Sequence, residues 1–261
     1  AMHALTLDML SNGRLILGLG VSGPQVVEGW YGQPFPKPLA RTREYIDIIR
    51  QVFAREERVT NPGPHYPMPY GGEDGMGLGK PLKPMVHPLR NKIPIYLGAE
   101  GPKNIALSTE IADGWLPLFY NPYDESVYAS SLTNTKPDFQ IAQMVTVNIT
   151  DDIDAGLLGV KQFLSLYVGG MGAKGTNFHK NLFERMGYAD EAEQIQKLFF
   201  EGKRDEAARV IPDELADAMA LIGPKDRIRD RLQAWNDSKV TTLLVATTDK
   251  QQLRDMAELI L

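Results

Sequence analysis

The sequence contains no cysteine, which excludes disulfide bonds, thiolate metal sites and cysteine nucleophiles. It also lacks an apolar segment long enough to span a bilayer and any pattern typical of a signal peptide. A formal net charge of -5 without a basic run argues against nucleic-acid binding. We therefore expect a cytoplasmic globular protein that binds neither membranes nor nucleic acid.

Histidines are few and scattered. The four of them (His3, His65, His87 and His179) show no metal-ligand spacing, so we expect no metal site. His65 and His87 lie in a long loop rich in Pro and Gly, residues 59–90, where either could reach a substrate. Lone histidines are more often surface residues, and no G-x-S-x-G sequence or Ser-His-Asp order suggests a hydrolase.

The most informative segment is Ile93–Phe119, IPIYLGAEGPKNIALSTEIADGWLPLF. Its apolar start, closed by Gly98, predicts a buried strand, and apolar residues at helical spacing then predict a helix that ends at Gly114. A glycine-rich turn joins the two and can present several backbone N–H groups to an anion. The alternative is a tight turn in which the glycines serve only backbone geometry, and the local residues do not decide between the two.

Five strands are predicted, near residues 15–20, 93–98, 115–119, 143–150 and 241–247. Helices separate them, which favours an α/β fold with a parallel sheet, and residues 153–235 are predicted to be mostly helical. No second compositional domain is visible, so we expect a single domain over residues 1–261. A closed (β/α)8 barrel needs eight strands, more than this pattern predicts.

Two further glycine-rich segments are candidates for function. The turn Gly18–Gly23 follows the first predicted strand, although a lone G-x-G is a weak dinucleotide signal. Residues 169–175, GGMGAKG, are either a lid with glycine hinges or a flexible connector, in which case Lys174 and His179 would face solvent. Trp30 and Tyr31 could wall a ligand, but core or interface packing is the more common role for such residues.

Several segments in order resemble the luciferase-like monooxygenase superfamily, and most closely its branch that uses the deazaflavin coenzyme F420. They are LDMLSNGRLILGLGVSG, ARTREYIDIIRQVF, the Ile93–Phe119 segment, YVGGMGAKGTNFHKNLFERMGY, PDELADAMALIGPKDRIRDRL and VTTLLVAT. Together they cover essentially the whole chain. The resemblance implies a (β/α)8 TIM-barrel fold in which the match begins at the family's third helix, so that strands four to eight are present and one to three are absent.

The resemblance also implies a cofactor site. The turn after Leu97 matches the family's phosphate-binding loop, where N–H groups of Glu100 and Gly101 would donate to the phosphate. Val21 occupies the place of a phosphate-binding arginine in bacterial luciferases, which makes coenzyme F420 the expected cofactor and FMN the second choice. The cofactor residues expected on this basis are Gly98, Ala99, Glu100, Gly101, Lys103, Asn104, Gly20, Val21 and Ser22. Lid or substrate residues expected on the same basis are Gly170, Met171 and Gly172.

The implied activity is that of an oxidoreductase that transfers hydride between the reduced cofactor and a small organic substrate. The alternative is a truncated or non-catalytic flavin-binding relative that is inactive or completed by a partner subunit. An incomplete barrel leaves strand edges and core exposed, so we expect a homodimer or a higher homo-oligomer. The sequence predicts no catalytic acid or base.

Overall fold

A computed structural model describes residues 1–260, which form two compact units that are described separately. The first unit comprises Ala1–Gly98 and Leu107–Gly114, and the second comprises Ala99–Ala106 and the chain from Trp115 onward. Each unit has its own cluster of buried apolar side chains.

The helices α1–α12 are Met2–Leu10, Pro24–Gly29, Pro38–Ala54, Pro102–Ile111, Ser126–Ala129, Ile153–Ser165, Phe178–Arg185, Ala189–Phe200, Arg204–Val210, Asp213–Ala218, Lys225–Asp237 and Lys250–Ile260. A π-helical turn, Leu166–Gly170, follows α6 directly. The strands β1–β6 are Leu17–Gly20, Ile95–Gly98, Gly114–Leu116, Gln140–Ile149, Ala220–Gly223 and Thr242–Ala246. Within residues 1–260, no helix is both long and apolar enough to cross a bilayer.

In the first unit, β1 and β2 pair in parallel, and Gly20 lies opposite Gly98 at their carboxyl ends. Helix α3 contributes Ile46, Ile49 and Phe53 to the core, at the spacing that its sequence predicts. Tyr45, next to Ile46 in the chain, is 45% exposed, and its ring packs against Tyr66 of the long loop.

A buried ion pair fixes the end of α1. The carboxylate of Asp8 is almost fully buried and accepts hydrogen bonds from the Arg90 guanidinium, 2.7 Å from Nη2, and from the Leu15 N–H. Hydrogen bonding to Arg90 holds the pKa of the Asp8 carboxyl below its usual value, although burial opposes the effect. Asp8 thereby connects α1 with the segment before β1, through Leu15, and with the end of the long loop, through Arg90.

In the second unit, the long strand β4 pairs in parallel with both β5 and β6. Strand β5, Ala220–Gly223, was not predicted: it lies within residues 153–235, which were predicted to be mostly helical. The prediction of five strands was therefore wrong, and residues 1–260 contain six. Four apolar residues are too few to show a period, so only their burial against β4 reveals the strand.

The strands β1 and β6 are only partly buried. Along β1 half-buried and exposed residues alternate, and in β6 Leu244 is 43% exposed. Apolar composition alone does not say whether one face or both faces of a strand are covered.

Candidate functional site

The glycine turn between β2 and α4 ends in a helix N-terminus. The N–H groups of Asn104 and Ile105 both donate to the Gly101 carbonyl, at 2.9 Å each, which makes Gly101 the N-cap of α4. The N–H groups of Glu100, Gly101 and Lys103 have no hydrogen-bond acceptor among residues 1–260. Three unpaired donors at the start of a ten-residue helix are the arrangement that binds an anion.

Two distant side chains orient this turn. The indole Nε1 of Trp115 donates to the Ala99 carbonyl at 2.8 Å, and Nη2 of Arg185 donates to the Glu100 carbonyl at 2.9 Å. In a trans peptide the C=O and the following N–H point in opposite directions. The two anchored carbonyls therefore direct the N–H groups of Glu100 and Gly101 away from Trp115 and Arg185.

The turn is open to an approaching group. A Cβ atom added at Gly101 would meet nothing within 4 Å. The Lys103 side chain is exposed, and Asn104 is half-buried. Free N–H donors, open space and a nearby ammonium group fit a phosphate. The predicted residues from Ala99 to Asn104 thus lie together in the second unit, directly after Gly98, and their binding of an anion stays a prediction.

Beneath the turn lies a buried acid–imidazole pair. The side chain of Glu100 is 13% exposed, and Oε2 lies 3.3 Å from Nδ1 of His179, which is 16% exposed. This contact is close enough for an ion pair but is not aligned as a hydrogen bond, so both carboxylate oxygens and Nδ1 have no hydrogen-bond partner among residues 1–260. The flexible-connector alternative for residues 169–175 placed His179 in solvent; that placement is wrong, because the ring packs edge-on against Tyr167 and Phe119.

Asn177 links the segment of the predicted lid to α7. Its side-chain oxygen caps the helix by accepting from the N–H groups of His179 and Lys180, while Nδ2 donates to the carbonyls of Tyr167 and Val168. The cap places His179 in the first turn of α7, under the anion-binding turn. Lys174 is exposed, as expected if the segment is a flexible connector.

The glycines of the predicted lid make close packing contacts. A Cβ at Gly169 or Gly170 would lie 2.6 or 2.4 Å from the nearest atom of Phe199, and one at Gly172 would lie 2.6 Å from Cβ of Asn177. Packing therefore accounts for these three glycines, and Met171 between them is half exposed. Closure of the segment over a ligand stays a prediction.

The second glycine turn belongs to the first unit. Ser22 adopts a left-handed conformation with φ of 59° and is exposed, while Val21 is half-buried. Trp30 and Tyr31, assigned preferentially to packing, are 81% and 65% exposed and stack on each other. Core packing is wrong for them, because they follow a short helix with no buried residue, whereas interface packing stays a prediction.

The two loop histidines differ in environment. The N–H of His65 donates to the Glu44 carboxylate, which also accepts from Asn61 and so orders this part of the loop. His87 is exposed. Within residues 1–260, no cluster of three or more His, Asp or Glu side chains is placed to hold a metal ion.

Sequence reasoning missed the roles of three side chains at this site. The indole of Trp115 was interpreted only as part of an apolar strand, Arg185 was not singled out, and His179 was placed in solvent by the flexible-connector alternative. A buried tryptophan usually finds an acceptor for its N–H, which is the one signal that the sequence offered.

A profile of the luciferase-like monooxygenase family matches residues 1–242. The chain is 55% identical to a Mycobacterium tuberculosis protein with the provisional name coenzyme F420-dependent oxidoreductase, an alignment that covers 100% of this chain and 78% of the relative. It is 26% identical to the 5,10-methylenetetrahydromethanopterin reductase of Archaeoglobus fulgidus, covering 93% and 70%. The chain belongs to the luciferase-like monooxygenase family, as its sequence motifs predicted.

Two solved structures share the fold. The coenzyme F420-dependent tetrahydromethanopterin reductase of Methanopyrus kandleri superimposes with a TM-score of 0.72 at 22% identity, covering 98% of this chain and 76% of that one. An F420-dependent secondary alcohol dehydrogenase in complex with an F420–acetone adduct gives a TM-score of 0.64 at 12% identity, covering 99% and 72%. At these identities the comparison shows the fold alone, and it agrees with the predicted α/β class. The incomplete barrel stays a prediction.

Proposed function

We propose that this protein is a coenzyme F420-dependent oxidoreductase that transfers hydride between the deazaflavin and a small organic substrate. The observation that carries the proposal is the open turn at Gly101, whose free N–H donors fit a phosphate, in a chain 55% identical throughout to a relative named for this coenzyme. The two solved structures that share the fold, a reductase and a secondary alcohol dehydrogenase, are also named for this coenzyme.

In this proposal the N–H groups of Glu100, Gly101 and Lys103 donate to the phosphate, and the Lys103 ammonium adds a positive charge. The remaining predicted cofactor residues adjoin the two glycine turns: Gly98, Ala99, Asn104, Gly20, Val21 and Ser22. When bound, the deazaflavin supplies or accepts the hydride, and the protein provides binding and orientation. FMN, which also carries a phosphate, is the second candidate.

Gly101 offers a sharp test of phosphate binding. Because a Cβ atom there meets no atom within 4 Å and Asp and Asn have the same size, Gly101→Asp and Gly101→Asn are expected to fold equally well; both residues are good N-caps. Only the aspartate brings a negative charge beside the phosphate, which weakens binding about tenfold or more at close range. Titration of the wild type and both variants with coenzyme F420, followed by tryptophan fluorescence, measures the difference.

Three outcomes distinguish the alternatives. Coenzyme F420 binding that is weaker in Gly101→Asp than in Gly101→Asn, together with substrate-dependent oxidation of the reduced coenzyme, supports the proposal. Binding without turnover of any substrate supports a non-catalytic relative. Preference for FMN over coenzyme F420, or equal affinity of the two variants, contradicts it. We also propose a homodimer or higher homo-oligomer, which sedimentation of the purified protein tests.

A further inference from the structure

A cleft of about 610 Å³ in the second unit is lined by the segment before α7 and by helix α8. The segment forms a tight hairpin there, because the N–H groups of Ala173 and Thr176 each donate to the carbonyl of the other at 3.0 Å and leave Lys174 at the tip. The opposite wall consists of side chains of α8 and the residue after it: Glu193, Gln196, Lys197, Phe200 and Glu201. The cleft shares no lining residue with the glycine turn at Gly101.

The charges that lack a partner in this cleft are positive. Of the two lining carboxylates, Glu193 is bound by Lys180, which does not line the cleft, and Glu201 is bound by Lys203 at 2.8 Å. The two lysines of the lining, in contrast, have no carboxylate within ion-pair distance among residues 1–260. The cleft therefore offers two ammonium groups to a ligand, whereas its acidic groups are already neutralised.

Gln196 adds a hydrogen-bond donor. Its side chain is 3% exposed; Oε1 accepts from Nζ of Lys180 at 3.3 Å, and Nε2 has no acceptor among residues 1–260. The reverse orientation of the amide would bring two donors together at Lys180. A buried N–H group without an acceptor is costly and is rare in native proteins. Because the oxygen is held by Lys180, the amide nitrogen is the end of this side chain that is left for an acceptor on a ligand.

Phe200 provides an apolar surface in the same cleft. It lies at the end of α8 and is 54% exposed. The site thus combines two ammonium groups, one amide donor and an aromatic ring, and it has no free acceptor for a ligand's donor. This combination suits an anion that carries a carbon skeleton. The volume of the cleft falls within the range of pockets that hold small molecules, about 300–1,000 Å³.

We propose that this cleft is a second ligand site, which binds a small organic dianion. The acidic oxygens of the ligand contact Lys174, Lys197 and Nε2 of Gln196, and its carbon skeleton lies against Phe200. A phosphate monoester and a dicarboxylate present the same chemistry to these groups. The inference does not rest on the proposed function, because no residue of the glycine turn takes part.

Two probe ligands distinguish the possible sources of the negative charge. Phthalate and phenyl phosphate are both dianions in mildly alkaline buffer and both carry a benzene ring. We expect titration calorimetry with the wild type to give a Kd of about 1 mM or tighter for at least one of them. Inorganic phosphate, which lacks the ring, should bind severalfold more weakly than phenyl phosphate.

Two variants with matched controls locate the site. Lys174→Gln removes one positive charge at the exposed hairpin tip and should weaken binding about fivefold, whereas Lys250→Gln, an exposed position of α12, should not. Gln196→Glu keeps an acceptor for Lys180 but replaces the donor by a negative charge, so it should weaken binding about tenfold or more. Gln194→Glu adds the same charge at an exposed position of α8 outside the lining and should have a much smaller effect.

The inference stands if a probe binds and loses affinity in Lys174→Gln and Gln196→Glu but in neither control, and the tighter probe then identifies the preferred acidic group. If Gln196→Glu does not fold, Lys174→Gln at the surface decides the matter with its control. Failure of both probes to bind the wild type, or equal affinities of Lys174→Gln and Lys250→Gln, overturns the inference. Loss of phenyl phosphate binding in Gly101→Asp and not in Lys174→Gln also overturns it, and places that binding at the glycine turn. Titration with coenzyme F420 tests the proposed function separately.

Discussion

Replacement of Gly170 by alanine tests whether the glycines of the predicted lid serve packing or hinge motion. The added Cβ would lie 2.4 Å from Cε1 and 2.6 Å from Cζ of Phe199, well inside van der Waals contact. Neither glycine that faces this ring, Gly169 or Gly170, has a positive φ, so backbone conformation gives no separate reason for them. We expect Gly170→Ala to destabilise the protein through this contact alone.

The magnitude follows from two opposing contributions. Forcing one extra methyl group into a packed site costs about 1–3 kcal/mol. Alanine in place of glycine within a helical turn returns about 0.5–1 kcal/mol. The Phe199 atoms nearest Gly170 are at the tip of the ring, which can move, so we expect a net loss of about 1 kcal/mol. Gly169→Ala should cost about 2 kcal/mol, because it meets Cβ of Phe199, which is tied to the backbone.

Urea denaturation followed by circular dichroism measures the free energy of unfolding, and a loss of 1 kcal/mol should lower the Tm by about 2–4 °C. Phe199→Leu replaces the ring by a shorter side chain, which should reduce the cost of Gly170→Ala in a double-mutant cycle. Gly175→Ala is the control, since its Cβ meets nothing within 4 Å. Packing is the wrong explanation if Gly170→Ala is as stable as the wild type, or if its cost is unchanged in the Phe199→Leu background.

Two further predictions concern hydrogen bonds. Asp8→Asn should lower the free energy of unfolding by about 2 kcal/mol at neutral pH, because it weakens the bonds from Arg90. The pKa of Asp8 is depressed in the folded state, so this stabilisation is present above about pH 4 and is lost as pH falls through the folded pKa. Urea denaturation at pH 7 and pH 3 should therefore show a smaller difference in unfolding free energy between the wild type and Asp8→Asn at the lower pH. Trp115→Phe removes the hydrogen bond to the Ala99 carbonyl and should weaken coenzyme F420 binding severalfold. Trp235→Phe, far along the chain, is the control and should leave binding unchanged. Equal effects of the two substitutions would contradict the role of the Trp115 indole.

Local sequence was sufficient for the part of the site that lies within one segment. A short apolar run closed by Gly98, followed by a helical pattern, places a glycine turn at a helix N-terminus. The structure confirms the strand and the helix, although the helix ends at Ile111 and Gly114 belongs to β3. Alternation of burial in β1 and the strand at Ala220–Gly223 were not predicted, because both depend on which neighbour covers each face.

By itself, then, the sequence determined the family, the α/β class and the glycine turn with its helix, since these follow from short-range patterns and ordered motifs. Only the tertiary structure decided which way the turn faces. Its carbonyls are held by Trp115, 16 residues from Ala99, and by Arg185, 85 residues from Glu100. The contact of Glu100 with His179 likewise joins residues that are distant in the sequence. Periodicity reports the faces of single elements, and contacts between distant segments arise only when those elements pack.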